Sequence, residues 1–413
     1  MLFLASFKNS DFTYRSADPI LMGEMIHLRH RLVRADRALF AISALALANA
    51  VADSALLPVL PTLQERFDLS GTQTGALLSA ATVVTLAASV PIGLFSGRIG
   101  SRRLLLASAA LVPVALLVQG LATGLGMLMA GRALFGLSFA TLWTVAPAFA
   151  AGSDRGAAGT GRPIAAAGAG WLIGPAFSGI VTDVWGYRVA FAAIAMATLP
   201  LVYIVSRARS EEDPAPAGRL WHALSATRNE HALAGAMLVT ALLGAVAGVS
   251  GLLAPLVLAD NGLSPGGIGA VIALTAVIFT ASGALCARIP SWRVDVRLVG
   301  ATAAAVGATF LIPFVSFSTF AVIAFLVVSA GARAALVTIV YALARSHVPR
   351  EALATPIGGL MNVMWAGAAL AAPLAAGIAL SAGGAKWAFV ATAAVGFVVA
   401  AWMLVPRPRT VYA

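Results

Sequence analysis

Charge is what this sequence has least of. Only 10 % of its 413 residues are Asp, Glu, Lys or Arg, while 60 % are hydrophobic, and an ordinary soluble domain carries about 25 % charged residues. A soluble globular protein is thereby excluded. The single cysteine, Cys286, excludes an intramolecular disulfide framework and any paired-cysteine metal or redox motif; it reads as a small packing residue. There are five histidines, none inside an apolar run, so no histidine relay can operate within a membrane. No P-loop, HExxH, GxSxG or paired-carboxylate cluster occurs, which disfavours an enzyme, and neither a cofactor nor a metal is expected. The net charge of +11 comes from basic residues scattered singly between apolar runs, so nucleic acid is not an expected partner.

What is present is a series of apolar runs, each about 17–25 residues long, the length of membrane-spanning helices rather than barrel strands. The runs predict helices at 38–60, 75–95, 104–121, 125–150, 163–184 and 189–205, then at 233–257, 267–287, 298–315, 320–344, 357–379 and 387–404. The expected fold is an all-α membrane protein of twelve transmembrane helices in two six-helix, pseudo-symmetric bundles. Its divisions are an N-terminal arm (1–37), a first bundle (38–206), a polar linker (207–230), a second bundle (231–405) and a tail (406–413). The opening "MLFLASFKNSDF" lacks a basic region ahead of its short apolar stretch, so no signal peptide is expected, and residues 1 to about 24 have no evident structural role. A start at Met25, followed by Arg29, Arg31, Arg34 and Arg37, stays open.

If the connections alternate sides, most of the 27 Lys and Arg residues fall on one side, while Arg66, Arg188 and Lys386 mark the other. Basic loops remain cytoplasmic. Both termini are therefore expected in the cytoplasm, and the membrane is expected to be the plasma membrane. Internal similarity supports the division into halves: "LSGTQTGALL" (69–78) pairs with "LSPGGIGAVI" (263–272), and "RIGSRR" (98–103) with "RIPSWR" (288–293). Further on, "GPAFSGI" (174–180) pairs with "APLAAGI" (372–378), and "YRVAF" (187–191) with "AKWAF" (385–389). Parallel six-helix repeats with a site between them are a build of secondary transporters.

At these residues the chain resembles the major facilitator superfamily, most closely the drug/proton antiporter (multidrug efflux) type. "GLFSGRIGSRRLLL" (93–106) is similar to the family's G-x-L-x-D-R-x-G-R-R signature through Gly93, Leu94, Arg98, Gly100, Arg102 and Arg103, but Gly97 stands where the signature has aspartate. The resemblance implies a gating role for this connection. With the acid missing, Asp154 in the next cytoplasmic connection is a candidate substitute. The repeat counterpart of Gly97 is Ala287. Arg132 and Gly136 match the R-x-x-x-G signature of proton-coupled members. Gly170, Gly174, Pro175 and Gly179 match the antiporter signature, with Ser178 in place of a glycine, and imply sealing or bending of helix 5. Close packing of small residues accounts equally well for that face, and Ala368, Ala372 and Ala376 repeat it around Pro373.

Asp53 is the one carboxylate well inside an expected span. Counting residues from the helix ends places it and Arg132 at matching depth, roughly 10 Å in. Because an intramembrane charge costs about 3 kcal/mol or more, it normally faces a cavity or a partner. Burial disfavours a bare carboxylate and a nearby guanidinium favours it, so a conformational change could make the pair take up and release a proton; a fixed ion pair orienting two helices is the alternative. Arg333 is a third charge, deeper in the membrane.

The helices that line cavities in the family carry Asn49, Trp143, Thr144, Trp171, Tyr341, Asn362 and Trp365, which with Arg333 form the expected substrate-binding set. Asparagine and glutamine are too scarce for a sugar site. The expected activity is proton-coupled efflux of a lipophilic or weakly charged small molecule by a monomer in the lipid bilayer. An organic-anion or metabolite carrier using Arg132 and Arg333, and a non-transporting receptor or scaffold, are the alternatives.

Overall fold

The computed structural model describes residues 19–151, 157–208, 227, 230–347 and 354–405. Twelve helices in it are long and apolar enough to cross a membrane: α1 (Arg37–Arg66), α2 (Gly71–Ile99), α3 (Ser101–Gly120), α4 (Leu125–Ala146), α5 (Arg162–Trp185), α6 (Tyr187–Arg207), α7 (His231–Asp260), α8 (Pro265–Cys286), α9 (Val296–Val315), α10 (Thr319–Ser346), α11 (Ile357–Ser381) and α12 (Ala385–Leu404). Every expected span overlaps one of them. No strand occurs among the described residues.

Several helices begin earlier than their apolar runs because a polar cap outside the run starts them. Ser70 accepts from Gln73 N while the Gln73 side chain accepts from Ser70 N, a capping box at the head of α2. Ser264, Asp295 and Ser318 cap α8, α9 and α10 more simply, each side chain accepting one first-turn N–H, from Gly267, Leu298 and Ala321. The helix leading into α1 already starts at Pro19, so part of the arm expected to be without structure is helical. Asp154, most of the 207–230 linker and the tail lie outside the described residues.

Proline sets the interruptions. Pro58 has no N–H to offer Ser54 and crowds its carbonyl, and α1 turns at Ala55. The break in α6 falls at Leu199, just before Pro200, and that in α9 at Phe310–Leu311, just before Ile312 and Pro313.

The packing of neighbours defines a ring of eight helices in the order α1, α5, α8, α10, α7, α11, α2, α4, with α3 and α6 packed outside the first half and α9 and α12 outside the second. The halves meet at two places in that ring, α5 against α8 and α2 against α11. Both meetings lie toward the end of the bundle opposite the chain termini, called distal below. Glycine makes both possible. A Cβ on Gly75 of α2 would stand 3.1 Å from the carbonyl carbon of Pro373 on α11, and one on Gly269 of α8 would stand 3.1 Å from that of Pro175 on α5. Gly71 faces Gly377, and Gly179 faces Pro265. The two contacts are copies of each other under the internal repeat.

Past its turn, α1 leans across the ring and packs on α7 and α8. There Leu57 of α1 and Leu78 of α2 converge on Gly251 of α7, each side-chain methyl 3.8 Å from where a Cβ would be. The ring is thus filled at its distal end. Contacts between the halves continue inward as far as the Ser79 hydroxyl, which donates to Leu370 O at 2.8 Å.

Candidate functional site

Asp53 sits one residue before the turn-side end of its α-helical segment, and Arg132 reaches it from α4. Both Arg132 Nη1 and Nη2 donate to the same oxygen, Asp53 Oδ1, at 3.2 Å. Oδ2 is left without a donor among the described residues. The guanidinium is also stacked near Phe135, 5.2 Å from the ring centroid. The two partners differ in access: the Asp53 side chain is 23 % exposed and that of Arg132 only 5 %. Arg132 Nε is buried with no partner among the described residues. The acid is therefore the member of the pair that water can reach, and the base is the fixed counter-charge.

Around the pair, short polar side chains lock the helices. Ser54 donates to Ala50 O at 2.7 Å and lies 3.3 Å from Gly170 O on α5. Gly170 and Gly174 let that contact form, since a Cβ on either would strike Leu47, Ala50 or Val51 of α1. Ser138 on α4 donates to Asn49 Oδ1 at 3.2 Å and pairs with Ser108 on α3 at 3.0 Å. Asn49 also donates to Leu45 O at 3.1 Å and is fully buried. It was expected among the cavity-lining residues, but here it belongs to the helix packing. Its span position does not reveal which neighbour it faces, and Ser138 and Ser108 carried no signal beyond being small polar residues in apolar helices.

Helix geometry places some of the remaining residues. At about 100° per residue, the α1-facing Gly170 and Gly174 and the α8-facing Pro175 and Gly179 bound a sector of α5 narrower than a half-turn. In a closed ring the narrower sector faces inward. Trp171 lies in it and is 41 % exposed. On α11 the same reasoning uses the α7-facing Ala369 and Ala372 and the α2-facing Leu370 and Gly377; Asn362, exposed, falls between them, and Trp365 lies at the α7-side edge. Tyr341 is exposed on α10. Trp143 and Thr144 on α4 are half-buried; the Trp143 ring lies tilted against Phe139 with centroids 6.0 Å apart, and its indole nitrogen has no partner among the described residues. Arg333 Nε donates to Ser329 O at 3.4 Å, and no carboxylate stands within 4.0 Å of it among the described residues.

An apolar groove of about 360 Å³ lies elsewhere, between α2, α4 and α11, lined by residues such as Ala80, Val83, Met129 and Leu374. Val83 is turned well away around α2 from Leu78, which points into the ring. This groove therefore opens to the lipid side and is not the site.

At the terminal end, Gly100 makes the turn between α2 and α3 with φ +87°, a conformation that glycine adopts freely. Arg98, Arg102 and Arg103 are exposed, Arg102 donates to Ser206 O, and none has a carboxylate within 4.0 Å among the described residues. Gly93 packs near the Thr144 methyl at 3.7 Å. A Cβ on Gly97 would meet nothing within 4 Å among the described residues. Gly97→Asp should therefore fold with stability within about 0.5 kcal/mol of the parent, checked by thermal melting in detergent.

Residues 42–358 match the sequence profile of the Major Facilitator Superfamily. A stretch of 94 residues, 22 % of this chain, is 35 % identical to the MFS-type transporter ppzB of Metarhizium rileyi, and that stretch spans only 20 % of the fungal protein. Among solved structures, a bacterial homologue of the human lysosomal transporter Spinster, inward-facing and unoccupied, superposes with a TM-score of 0.73 over 90 % of this chain and 96 % of its own, at 15 % identity. The occupied inward-facing form gives 0.73 over 88 % and 95 %, again at 15 % identity. With a matching profile over most of its length, two repeated six-helix halves and this ring of helices, the chain belongs to the Major Facilitator Superfamily of multi-pass membrane transporters.

Proposed function

We propose that this transporter couples proton movement to export of a lipophilic or weakly charged small molecule by alternating access. The carrying observation is the unequal pair: an accessible acid, Asp53, held through one oxygen by a buried arginine, Arg132. When Asp53 is ionised the pair is satisfied. When it is protonated, Arg132 is left as an uncompensated buried cation, which costs several kcal/mol if nothing replaces the carboxylate. The two charge states thus favour different arrangements of α1 and α4, which is the requirement for coupling.

The turn at Ala55 supports the same reading. The distal part of α1 plugs the ring against α7 and α8, and Asp53 stands at the joint between that plug and the rest of the helix. A change at the acid is therefore placed to move the plug. Trp171 and Asn362, on inward sectors of opposite halves, with Trp365 beside them, offer aromatic and single hydrogen-bonding surfaces to a substrate, as a lipophilic molecule requires. The protein acts as a monomer in the plasma membrane. Because basic connections stay cytoplasmic, the terminal end is the cytoplasmic one in this reading; the motif glycines and arginines of 93–103 form gating surfaces there, and the α5 glycines form those nearer the distal end.

Everted membrane vesicles test this. A pH gradient, acid inside, should drive accumulation of a lipophilic dye; absence of any gradient effect on any dye would sink the proposal. A second reading, carriage of an organic anion, is favoured by one observation: among the described residues no carboxylate stands within 4.0 Å of Arg333 to neutralise it. Under the first reading Arg333→Gln leaves dye accumulation within about threefold of the parent. Under the second it removes stimulation by organic acids, because a desolvated anion loses an uncompensated partner.

A further inference from the structure

Among the described residues the distal end holds two polar contacts between the halves, and they occupy equivalent places in the repeat. On the α5–α8 side, Asp183 Oδ2 accepts from Ser264 Oγ at 2.8 Å and from Gly266 N at 2.9 Å. On the α2–α11 side, Ser381 Oγ accepts from Thr72 N at 2.9 Å and lies 3.0 Å from Thr72 Oγ1. Thr72 and Gly266 are each the fourth residue of the matched segments that open α2 and α8. Asp183 and Ser381 each stand nine residues beyond the start of the matched segments of α5 and α11. In both places a side chain from the end of one helix receives the first-turn N–H of the helix facing it across the halves. Such N–H groups have no partner within their own helix and carry the positive end of its dipole.

The copies differ in one respect. Asp183 is a carboxylate and Ser381 a neutral hydroxyl, and a hydrogen bond to an ionised acceptor is roughly twice as strong as a neutral one. Ser264 also serves two bonds at once, donating to Asp183 and accepting from Gly267 N at 3.3 Å. Loss of Asp183 would therefore loosen the cap of α8 together with the contact between halves.

We infer that Asp183–Ser264/Gly266 and Ser381–Thr72 are a paired latch that holds the distal gate shut, with the α5–α8 side the stronger, so that the gate opens first at α2–α11. The small residues beneath each contact bring the helix ends close enough for the latch to engage. Opening requires both contacts to break while the helices separate, and each N–H set free at the distal surface can bond to water instead.

The test reads conformation alone, independent of transport, protons or orientation in the membrane, so its failure would leave the proton-coupling reading untouched. Spin labels on cysteines at Leu121 and Phe320, exposed distal positions in opposite halves, in a Cys286→Ser background, report closed and open populations of purified protein. Asp183→Ala should raise the open-to-closed ratio about tenfold and Ser381→Ala about threefold, with Asp183→Asn between them. An unchanged ratio in Asp183→Ala with a lowered melting temperature would show a helix cap and nothing more, and would overturn the proposal, as would a larger effect from Ser381→Ala. Should Asp183→Ala fail to fold, a second arm remains. With hydroxyl oxygens 3.0 Å apart, Thr72→Cys with Ser381→Cys can form a disulfide. Oxidation should abolish the open population and reduction restore it; an open population that survives complete oxidation would contradict the latch.

Discussion

Asp53→Asn is expected to bring pH-gradient-driven transport down to the level of vesicles without the protein while substrate binding stays within a few-fold of the parent. Asparagine keeps an oxygen that can accept from Arg132, so the geometry of the pair survives, but it cannot carry a proton. The fold should weaken as well. Breaking a fully buried ion pair costs about 3–5 kcal/mol, and because Asp53 is 23 % exposed the loss should fall nearer the ~1–3 kcal/mol of a charged hydrogen bond. Adding Arg132→Gln removes the leftover charge and should restore thermal stability without restoring gradient-driven transport. A double variant that regained both would mean the pair only orients helices. Uptake into everted vesicles and melting in detergent are the two measurements.

Gly136→Leu is expected to cost more than any other single change considered, and to act on folding. Gly136 of α4 lies against the backbone of Ala81 on α2: a Cβ there would stand 2.9 Å from the Ala81 carbonyl carbon and 3.0 Å from its Cα. No side-chain rotation can relieve a clash with backbone. The same contact lets Thr85 Oγ1 donate to Gly136 O at 3.0 Å, a bond lost if α2 and α4 move apart. Gly136→Ala already sets about 1–3 kcal/mol of overpacking against about 1 kcal/mol of helix propensity gained, so it should be destabilising; leucine should leave little monodisperse protein after extraction. Gly97→Ala, with open space around it, is the control and should extract like the parent. Size-exclusion recovery separates the three.

Both predictions start from residues that the sequence singles out. Composition fixes the environment, and run length with internal repeats fixes twelve helices in two halves, because lipid leaves a helix no alternative way to satisfy its backbone. The depth count that places Asp53 level with Arg132 works because helical rise is constant, and the two are in contact. What the sequence hides depends on which helices meet. Asn49 carries the same polar signal as Asn362, yet one is fully buried against Ser138 and the other exposed toward the ring. Asp183 reads as one more acid at a helix end until α5 is seen to meet α8. The helix leading into α1 from Pro19 escapes notice because the run-length criterion measures apolarity, which ends before the helix does.

Proton release on substrate binding tests the coupling role of Asp53 most directly. Purified protein in weakly buffered detergent, titrated at a series of pH values with a lipophilic dye that it transports, should release up to about one proton per dye bound. Asp53→Asn should bind the dye and release none. Equal proton release from both proteins at equal dye binding would contradict a carrier role for Asp53.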